Sequence, residues 1–154
     1  MAFAKNEMMI NEMVNKMKDE LDKSLRQELC RYTAQNAFIQ ICGIQILELE
    51  KDRVVMEAAA RKAVLNPMGM VHGGLLYTLA DCCSGITART DGRIYVTQSG
   101  NIHYFSNVSD GKVCAEGSVL HRGRTVCTTE VNIYSSEEKQ LLAKATFAMF
   151  VVQS

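Results

Sequence analysis

The chain has 154 residues, of which 47% are hydrophobic, and this is enough to build one compact domain around a single core. Acidic and basic side chains balance at 17 each, so the chain lacks the basic excess that is typical of proteins that bind a nucleic-acid backbone. No segment approaches the roughly 20 consecutive apolar residues that a membrane-spanning helix requires. The balanced charge therefore argues against nucleic-acid binding, and the short apolar runs argue against a membrane-spanning function.

Residues 1–35 carry the pattern of an amphipathic helix. Apolar side chains recur every three or four positions, with Lys, Glu and Asp between them: Ile10, Met13, Met17, Leu21, Leu25, Leu29 and Tyr32. The polar face is mixed in sign, which favours packing against the rest of the protein over binding to a membrane surface. We therefore predict an N-terminal helical extension, residues 1–35, and a domain of residues 36–154.

Residues 36–89 predict two strands followed by a buried helix. Residues 41–49 and 54–60 are apolar enough for strands, and the turn-like sequence at 50–52 indicates a hairpin between them. After a loop that holds the chain's only proline, residues 75–89 carry a single charged side chain, Asp81, ahead of Arg89. Because a helix that is apolar on all faces is a buried helix, we expect it at the centre of the domain.

From residue 94 the apolar pattern changes to a period of two, which is typical of strands. Four strands are predicted, near residues 94–104, 113–119, 127–133 and 142–152. The connections at 107–111, 121–124 and 135–138 are short enough for antiparallel hairpins. Two strands, one buried helix and then a meander of strands predict an α+β domain in which an antiparallel sheet wraps around a hydrophobic helix.

The six cysteines show neither a disulfide framework nor a metal site. Cys82 and Cys83 are adjacent and the others are scattered, with no CxxC pair and no histidine at zinc-finger spacing. Because no secretory signal precedes them, we expect reduced, mostly buried thiols in a cytoplasmic protein. The sequence also lacks a P-loop and a dinucleotide-binding fingerprint, so no cofactor is predicted.

Asp81 and Gly73 are the residues best suited to chemistry. Two glycines open the predicted buried helix at its positive end, where a bare backbone N–H such as that of Gly73 can stabilise an oxyanion. A lone carboxylate on an apolar helix can act as a general base on water or as a nucleophile, and the residues alone do not separate these roles. Each residue has a structural alternative: close packing for Gly73 and bracing of a loop for Asp81.

Helix geometry separates these two residues. Gly73 and Asp81 are eight positions apart in the sequence, which is about 12 Å along a helix. That is too far for both to contact one reacting carbonyl. Two such helices, antiparallel across a two-fold axis, would bring Gly73 of one chain towards Asp81 of the other. If both residues serve one carbonyl, the protein is a homodimer.

The sequence around the helix resembles a known family. Asn66-x-x-Gly69-x-x-His72-Gly73-Gly74, followed by Leu79-Ala80-Asp81, is similar to the phenylacetic-acid-degradation type of hotdog thioesterases. The resemblance covers about residues 36–152 and includes sequences at 97–104, 121–125 and 143–146, with one departure at Ser106-Asn107-Val108, where the family commonly has a proline.

This resemblance implies an activity and an assembly. The fold would be the hotdog fold, and the reaction would be hydrolysis of an acyl- or aryl-coenzyme A thioester to the free acid and coenzyme A. Coenzyme A would then be part of the substrate rather than a cofactor. The active sites would lie at the interface of a homodimer, within a tetramer built as a dimer of dimers.

Roles for further residues follow from the motif and the resemblance. Asn66 would hold the water or the thioester oxygen through its amide, Thr97 would position water, and His72 would start the helix rather than act as a base. The basic turn at 122–124 suits the phosphates of coenzyme A, although a solvated hairpin turn would have the same composition. The residues expected to contact coenzyme A are His72, Gly74, Tyr104, Phe105, Ser106, His121, Arg122, Gly123, Arg124 and Thr125.

Two other functions fit the same fold. A non-catalytic module that binds acyl-coenzyme A would keep the fold without the chemistry, but here Asp81 accompanies an intact His72-Gly73-Gly74 sequence. A hotdog dehydratase would carry a His-Phe-Pro type of motif, which this sequence lacks. An acyl-coenzyme A thioesterase is therefore the favoured prediction.

Overall fold

The computed structural model describes residues 21–153, so the predicted helical positions Ile10, Met13 and Met17 lie outside the described residues. The elements in chain order are α1 (Lys23–Gln35), α2 (Ala37–Cys42), β1 (Ile44–Glu50), β2 (Arg53–Ala59), a short 3-10 helix (Lys62–Val64), α3 (Gly73–Arg89), β3 (Ile94–Tyr104), β4 (Lys112–Arg122), β5 (Val126–Ser135) and β6 (Leu141–Gln153). The six strands form one antiparallel sheet around α3, which confirms the predicted architecture.

Helix α3 is the centre of the core. The apolar side chains of the helix are buried against residues of the sheet such as Met56, Ile133 and Phe147, each of which is at most 1% exposed. Its two buried polar side chains find partners: Ser84 is hydrogen-bonded to Thr129 at 2.6 Å, and Thr87 donates to a backbone carbonyl of its own helix. The helix therefore has one fixed position over the sheet.

Close approach of α3 to β4 depends on Gly117. A Cβ atom at this position would lie 2.5 Å from Thr87 Oγ1 and 2.9 Å from Cys83 Sγ, closer than real Cβ contacts. Only glycine lets the helix lie this close to the strand without displacement. The position of Asp81, half a turn before Cys83, follows from this packing.

The predicted meander of the last four strands is wrong at its first connection. The sheet order is β1-β2-β4-β5-β6-β3, so β3 pairs with β6 at the edge and β4 lies between β2 and β5. The chain after β3 is held elsewhere, because Phe105 and Ser106 donate their backbone N–H groups to Leu142 O and Val71 donates to Val108 O. The other two predicted hairpins, β4–β5 and β5–β6, are confirmed.

Residues 23–35 are helical, as predicted, and a second short helix, α2, follows where a strand was predicted to begin. Leu21 and Leu29 of the predicted apolar face are buried. Residues 41 and 42, predicted as the start of a strand, instead end α2. Gly43 follows with φ 68°, a left-handed conformation that terminates the helix and that glycine adopts readily, so β1 begins only at Ile44.

All six cysteines are free thiols, and Cys42, Cys83 and Cys127 are buried, whereas Cys30 is exposed. Burial raises the pKa of Cys83 to about 12. Of the helices in residues 21–153, none is both long and apolar enough to cross a bilayer.

Candidate active site

Asp81 lies on α3 at the edge of the buried core. The hydroxyl of Thr97, on β3, donates a hydrogen bond to Asp81 Oδ1 at 2.7 Å. Two of the four predicted catalytic residues are therefore in contact, although they are 16 positions apart in the sequence. Because an ionised carboxylate has about four acceptor positions, one bond from Thr97 leaves Asp81 able to accept from a water molecule.

A cleft of about 380 Å³ opens at Asp81. It lies between α3 and β3 on one side and α1 and α2 on the other, and Asp81 is the acidic residue among its described lining side chains. The neighbouring thiol of Cys82 is not a competing nucleophile, because burial, followed by the charge of Asp81, raises its pKa to about 12. The chemistry available in this cleft is that of a carboxylate.

The start of α3 offers a backbone donor. His72 caps the helix, as expected, because its Nδ1 accepts the N–H of Gly74 at 2.9 Å. Within residues 21–153 the N–H of Gly73 has no hydrogen-bond acceptor. The Tyr104 hydroxyl, whose pKa is raised by burial, donates to Gly73 O at 3.0 Å. Gly73 N–H is therefore a fixed donor at the positive end of the helix dipole.

Asn66 lies in the loop that leads into α3. Its side-chain oxygen accepts the N–H groups of Met68 at 2.9 Å and Met70 at 3.1 Å, and this fixes the orientation of the carboxamide. The amide NH₂ is left as a donor that can hold a water or a substrate oxygen. The four predicted catalytic residues thus form two groups on one chain: Asn66 with Gly73 at the helix start, and Asp81 with Thr97 about 12 Å further along.

Sequence reasoning did not assign a role to Asn107. Asn107 Nδ2 donates to Val71 O at 2.7 Å, and its Oδ1 accepts the N–H of Val108 at 2.8 Å. The carboxamide thereby ties the chain after β3 to the residue that precedes His72. The signal was present as the departure from the family's proline at Ser106-Asn107-Val108. Here a hydrogen-bonding side chain, rather than a rigid ring, positions the start of α3.

The Arg122 guanidinium, predicted to contact coenzyme A phosphates, binds groups of its own chain. Its guanidinium donates to Ala88 O at 2.7 Å and pairs with Asp91 at 2.7 Å and Asp52 at 2.5 Å. It also donates to the Tyr95 hydroxyl at 3.0 Å. These partners lie at the carboxyl end of α3 and in two turns, and they bind both terminal nitrogens of the guanidinium. These contacts favour a structural role for Arg122, and its predicted role at coenzyme A stays a prediction.

Arg124 lies in the same turn as Arg122 but differs from it in exposure and in partners. Its side chain is exposed and forms no ion pair with the described residues. The turn itself is fixed, because Arg93 donates to Gly123 O at 3.2 Å and Arg124 O at 2.9 Å. His121 and Thr125 are exposed beside it. The guanidinium of Arg124 is therefore accessible to an anionic ligand.

The residues predicted to contact coenzyme A are divided between the two ends of α3. Tyr104 contacts Gly73 at the amino end, with Phe105 exposed beside it and Ser106 hydrogen-bonded to Gln140. The turn of Arg124 lies at the carboxyl end, where Arg122 contacts Ala88. The rise from Gly73 to Ala88 is about 22 Å, so one chain does not bring the two groups together. In residues 21–153 no group of three or more potential metal-ligating side chains is found.

The chain is similar to known proteins in sequence and in fold. The family model described as thioesterase superfamily matches residues 68–142. A hypothetical thioesterase from Streptococcus pneumoniae, solved with coenzyme A, is 33% identical, with a TM-score of 0.69, over 72% of this chain and 90% of that chain. Human acyl-coenzyme A thioesterase 13 is 27% identical over 128 residues, 80% of this chain and 91% of the relative.

A further solved structure shows how far the likeness of fold extends. The PaaI protein from the phenylacetic acid degradation operon of E. coli has a TM-score of 0.82 over 88% of this chain and 98% of that chain, at 19% identity. Fold and sequence together assign the chain. It belongs to the thioesterase superfamily, and it is a thioester hydrolase of the hotdog fold.

Proposed function

We propose that this hydrolase acts on acyl-coenzyme A thioesters as a homodimer, with Asp81 of one chain and Gly73 N–H of the other at the same carbonyl. The observation that carries the proposal is the hydrogen bond from Thr97 to Asp81 at 2.7 Å, in a cleft beside an otherwise buried helix. Coenzyme A is the group supported by the thioesterase solved with coenzyme A and by a Streptococcus mutans protein solved with acetyl coenzyme A.

The chemistry follows from the two free groups. Asp81 takes a proton from water as the water oxygen adds to the thioester carbonyl, and Gly73 N–H stabilises the oxyanion that forms. The intermediate collapses, the carbon–sulfur bond breaks, and the coenzyme A thiolate takes up the proton held by Asp81. A single turnover in water labelled with heavy oxygen tests the base role, because label in the Asp81 side chain would show nucleophilic attack instead.

The relatives support the pairing of Asp81 with Thr97. For the Streptococcus pneumoniae thioesterase, an aspartate-to-alanine and a threonine-to-alanine variant have been solved. The two substituted positions in that protein are separated by 16 residues, which is also the separation of Asp81 and Thr97 here. The same pair of side-chain types at the same spacing supports a shared catalytic role.

Two observations support a site built from two chains. Gly73 and Asp81 lie about 12 Å apart along α3, which is too far for one carbonyl to contact both. Among residues 21–153, strand β3, which carries Thr97, is an edge strand, and its residues from Val96 to Asn101 are exposed on both faces. An unpaired, exposed edge is a template for pairing with another strand, and a second copy of β3 would cover it.

The same antiparallel arrangement joins the two groups of predicted coenzyme A residues. On one chain they lie at opposite ends of α3. Across a two-fold axis, the carboxyl end of one α3 lies beside the amino end of the other, so Arg124 of one chain approaches Tyr104 and Phe105 of its partner. An exposed guanidinium for phosphate and exposed rings for pantetheine then line one channel.

Complementation between two inactive variants tests the two-chain site. Asp81→Ala removes the carboxylate, and Gly73→Pro removes the proposed N–H donor. Proline suits this position, because it is the first residue of α3 and His72 before it is extended, with φ −64° and ψ 133°. When the parents are refolded together, half of the dimers are mixed and one of their two sites is intact, so about a quarter of wild-type activity should return.

Gly73→Ala is the matched control. It keeps the N–H, and the added Cβ would lie 3.6 Å from the Tyr104 ring, an ordinary contact, so activity should be largely retained. Mass spectrometry would establish that mixed dimers have formed. Mixed dimers without recovered activity would show that Gly73 and Asp81 do not serve one carbonyl across the interface.

A further inference from the structure

One wall of the Asp81 cleft comes from outside the part of the chain that the family model matches. Tyr32, Phe38 and Ile39 of α1 and α2 line the cleft, whereas the match covers residues 68–142. We infer that Tyr32 and Phe38 are specificity-determining residues that limit the length of the acyl group beside Asp81. The inference rests on the proposed acyl-coenzyme A hydrolysis and assigns the part of the site that selects the acyl chain.

The wall is firmly attached to the domain. Asn36 caps α2 by accepting the N–H groups of Phe38 and Ile39, both at 3.1 Å, which fixes the backbone that carries the Phe38 ring. Ile39 is 4% exposed and anchors α2 in the core. At the other end of α2, the Arg61 guanidinium donates to Ile41 O. A fixed wall can discriminate between ligands by size, because it does not yield to a longer chain.

Tyr32 stands at the far end of the cleft from Asp81. The Arg89 guanidinium lies over the Tyr32 ring, 4.3 Å from its centroid, and holds the ring against the last residue of α3. Asp81 and Arg89 are eight positions apart on α3, which is about 12 Å. That span is comparable to an octanoyl chain. The Tyr32–Arg89 pair therefore stands where a longer acyl chain would have to pass.

Phe38 separates two hollows. It is 60% exposed, so little of its ring stabilises the core. It lines the Asp81 cleft and also a second hollow of about 190 Å³ beside His72 and Gly74, and Thr78 lines both as well. Replacing the ring with a methyl group would join the two hollows and make room for a longer acyl chain.

A chain-length series tests the inference. The kcat/KM values of wild type, Phe38→Ala and Tyr32→Ala are measured with butanoyl-, octanoyl-, dodecanoyl- and hexadecanoyl-coenzyme A. We expect each variant to raise the ratio of dodecanoyl to butanoyl kcat/KM by about tenfold, the effect of a changed apolar pocket on substrate choice. Butanoyl-coenzyme A is the reference substrate in each ratio, because the shortest acyl chain of the series depends least on the wall.

Two control variants isolate the wall. Tyr32→Phe keeps the ring and its contact with Arg89, so its chain-length profile should match wild type. Ile41→Ala changes a side chain that is 70% exposed on the same short helix and does not line the cleft, so it should also match. Equal change of kcat/KM for all four substrates in Phe38→Ala and Tyr32→Ala, or the same shift in Ile41→Ala, would overturn the inference.

The series also separates this inference from the proposed function. If wild type hydrolyses none of the four thioesters, or if Asp81→Asn is as active as wild type, the proposed function fails and the inference fails with it. If wild type is active, Asp81→Asn is inactive and the profiles of the wall variants equal that of wild type, only the inference fails.

Discussion

Asp81 lies on α3, and Arg122 contacts the carboxyl end of the same helix. The two charged side chains differ in how many groups of the protein bind them. Within the described part of the chain, Asp81 accepts one side-chain hydrogen bond, from Thr97, and faces an open cleft. Arg122 is bound by two carboxylates, a hydroxyl and a backbone carbonyl. A charge with unused hydrogen-bonding capacity can act on a ligand, whereas a charge bound by several groups of its own chain helps to hold the fold together.

The protonation states of Asp91 and Tyr95, which contact Arg122, agree with a structural role for this arginine. Burial opposes ionisation of Asp91, but hydrogen bonds from Arg93 and Tyr95, together with the charge of Arg122, outweigh it and lower the Asp91 pKa. Burial, and then the hydrogen bond to Asp91, raise the Tyr95 pKa to about 12. Both groups therefore keep one charge state near neutral pH, which suits a fixed network rather than proton transfer.

The largest expected effect is on catalysis at Asp81. Asp81→Asn should lower kcat by about a hundredfold to ten-thousandfold, because the amide cannot take a proton from water. The midpoint of thermal unfolding should stay close to wild type, since the side chain is not in the core. Asp110→Asn, in an exposed turn, is the control and should leave kcat unchanged. Full activity of Asp81→Asn would show that the Asp81 carboxylate is not the base, and the functional contrast with Arg122 would be wrong.

The second effect is on stability at Arg122. Arg122→Met should lower the free energy of unfolding by about 1–3 kcal/mol, because Asp91, Asp52 and Ala88 O lose a donor. Chemical denaturation at neutral pH measures this change. The kcat of the folded variant should stay near wild type, and Arg124→Met should leave stability unchanged. A loss of activity without a loss of stability would instead support the predicted contact of Arg122 with coenzyme A.

The stability difference at Arg122 should depend on pH. Because the Asp91 pKa is lowered in the folded protein, the stabilisation it provides is present above its unfolded pKa of about 3.9. It is lost as the pH falls through the lower, folded pKa. The difference between wild type and Arg122→Met should therefore shrink below about pH 4, and a difference independent of pH would contradict the ion-pair explanation.

The smallest effect is expected at Arg124. Arg124→Ala should raise KM for an acyl-coenzyme A by about twofold to fivefold, since an exposed charge pair contributes little free energy. The increase should diminish as salt is added, because salt screens exposed charges. Arg26→Ala, an exposed arginine on α1, controls for the change in net charge. An unchanged KM at low salt would leave the turn with no part in binding.

The sequence by itself determined the local features of the site. The apolar run interrupted by Asp81 predicted a buried helix, and His72 with two glycines predicted its start; both are present, with His72 as the cap. These features depend on residues a few positions apart, because helical hydrogen bonds and caps join near neighbours. The period of two likewise located the four later strands, because successive strand residues point to opposite faces.

Only the tertiary structure decided which distant groups meet. The pairing of β3 with β6, the 70-position separation bridged by Arg122 and Asp52, and the wall that Tyr32 and Phe38 add to the cleft have no local signal. Residues 41 and 42 were predicted as strand because an apolar run fits a strand or a short helix, and the Asn36 cap and Gly43 terminator made it a helix. Whether a charged side chain is structural or available to a ligand depends on the groups that contact it. The packing of the whole chain determines which groups those are.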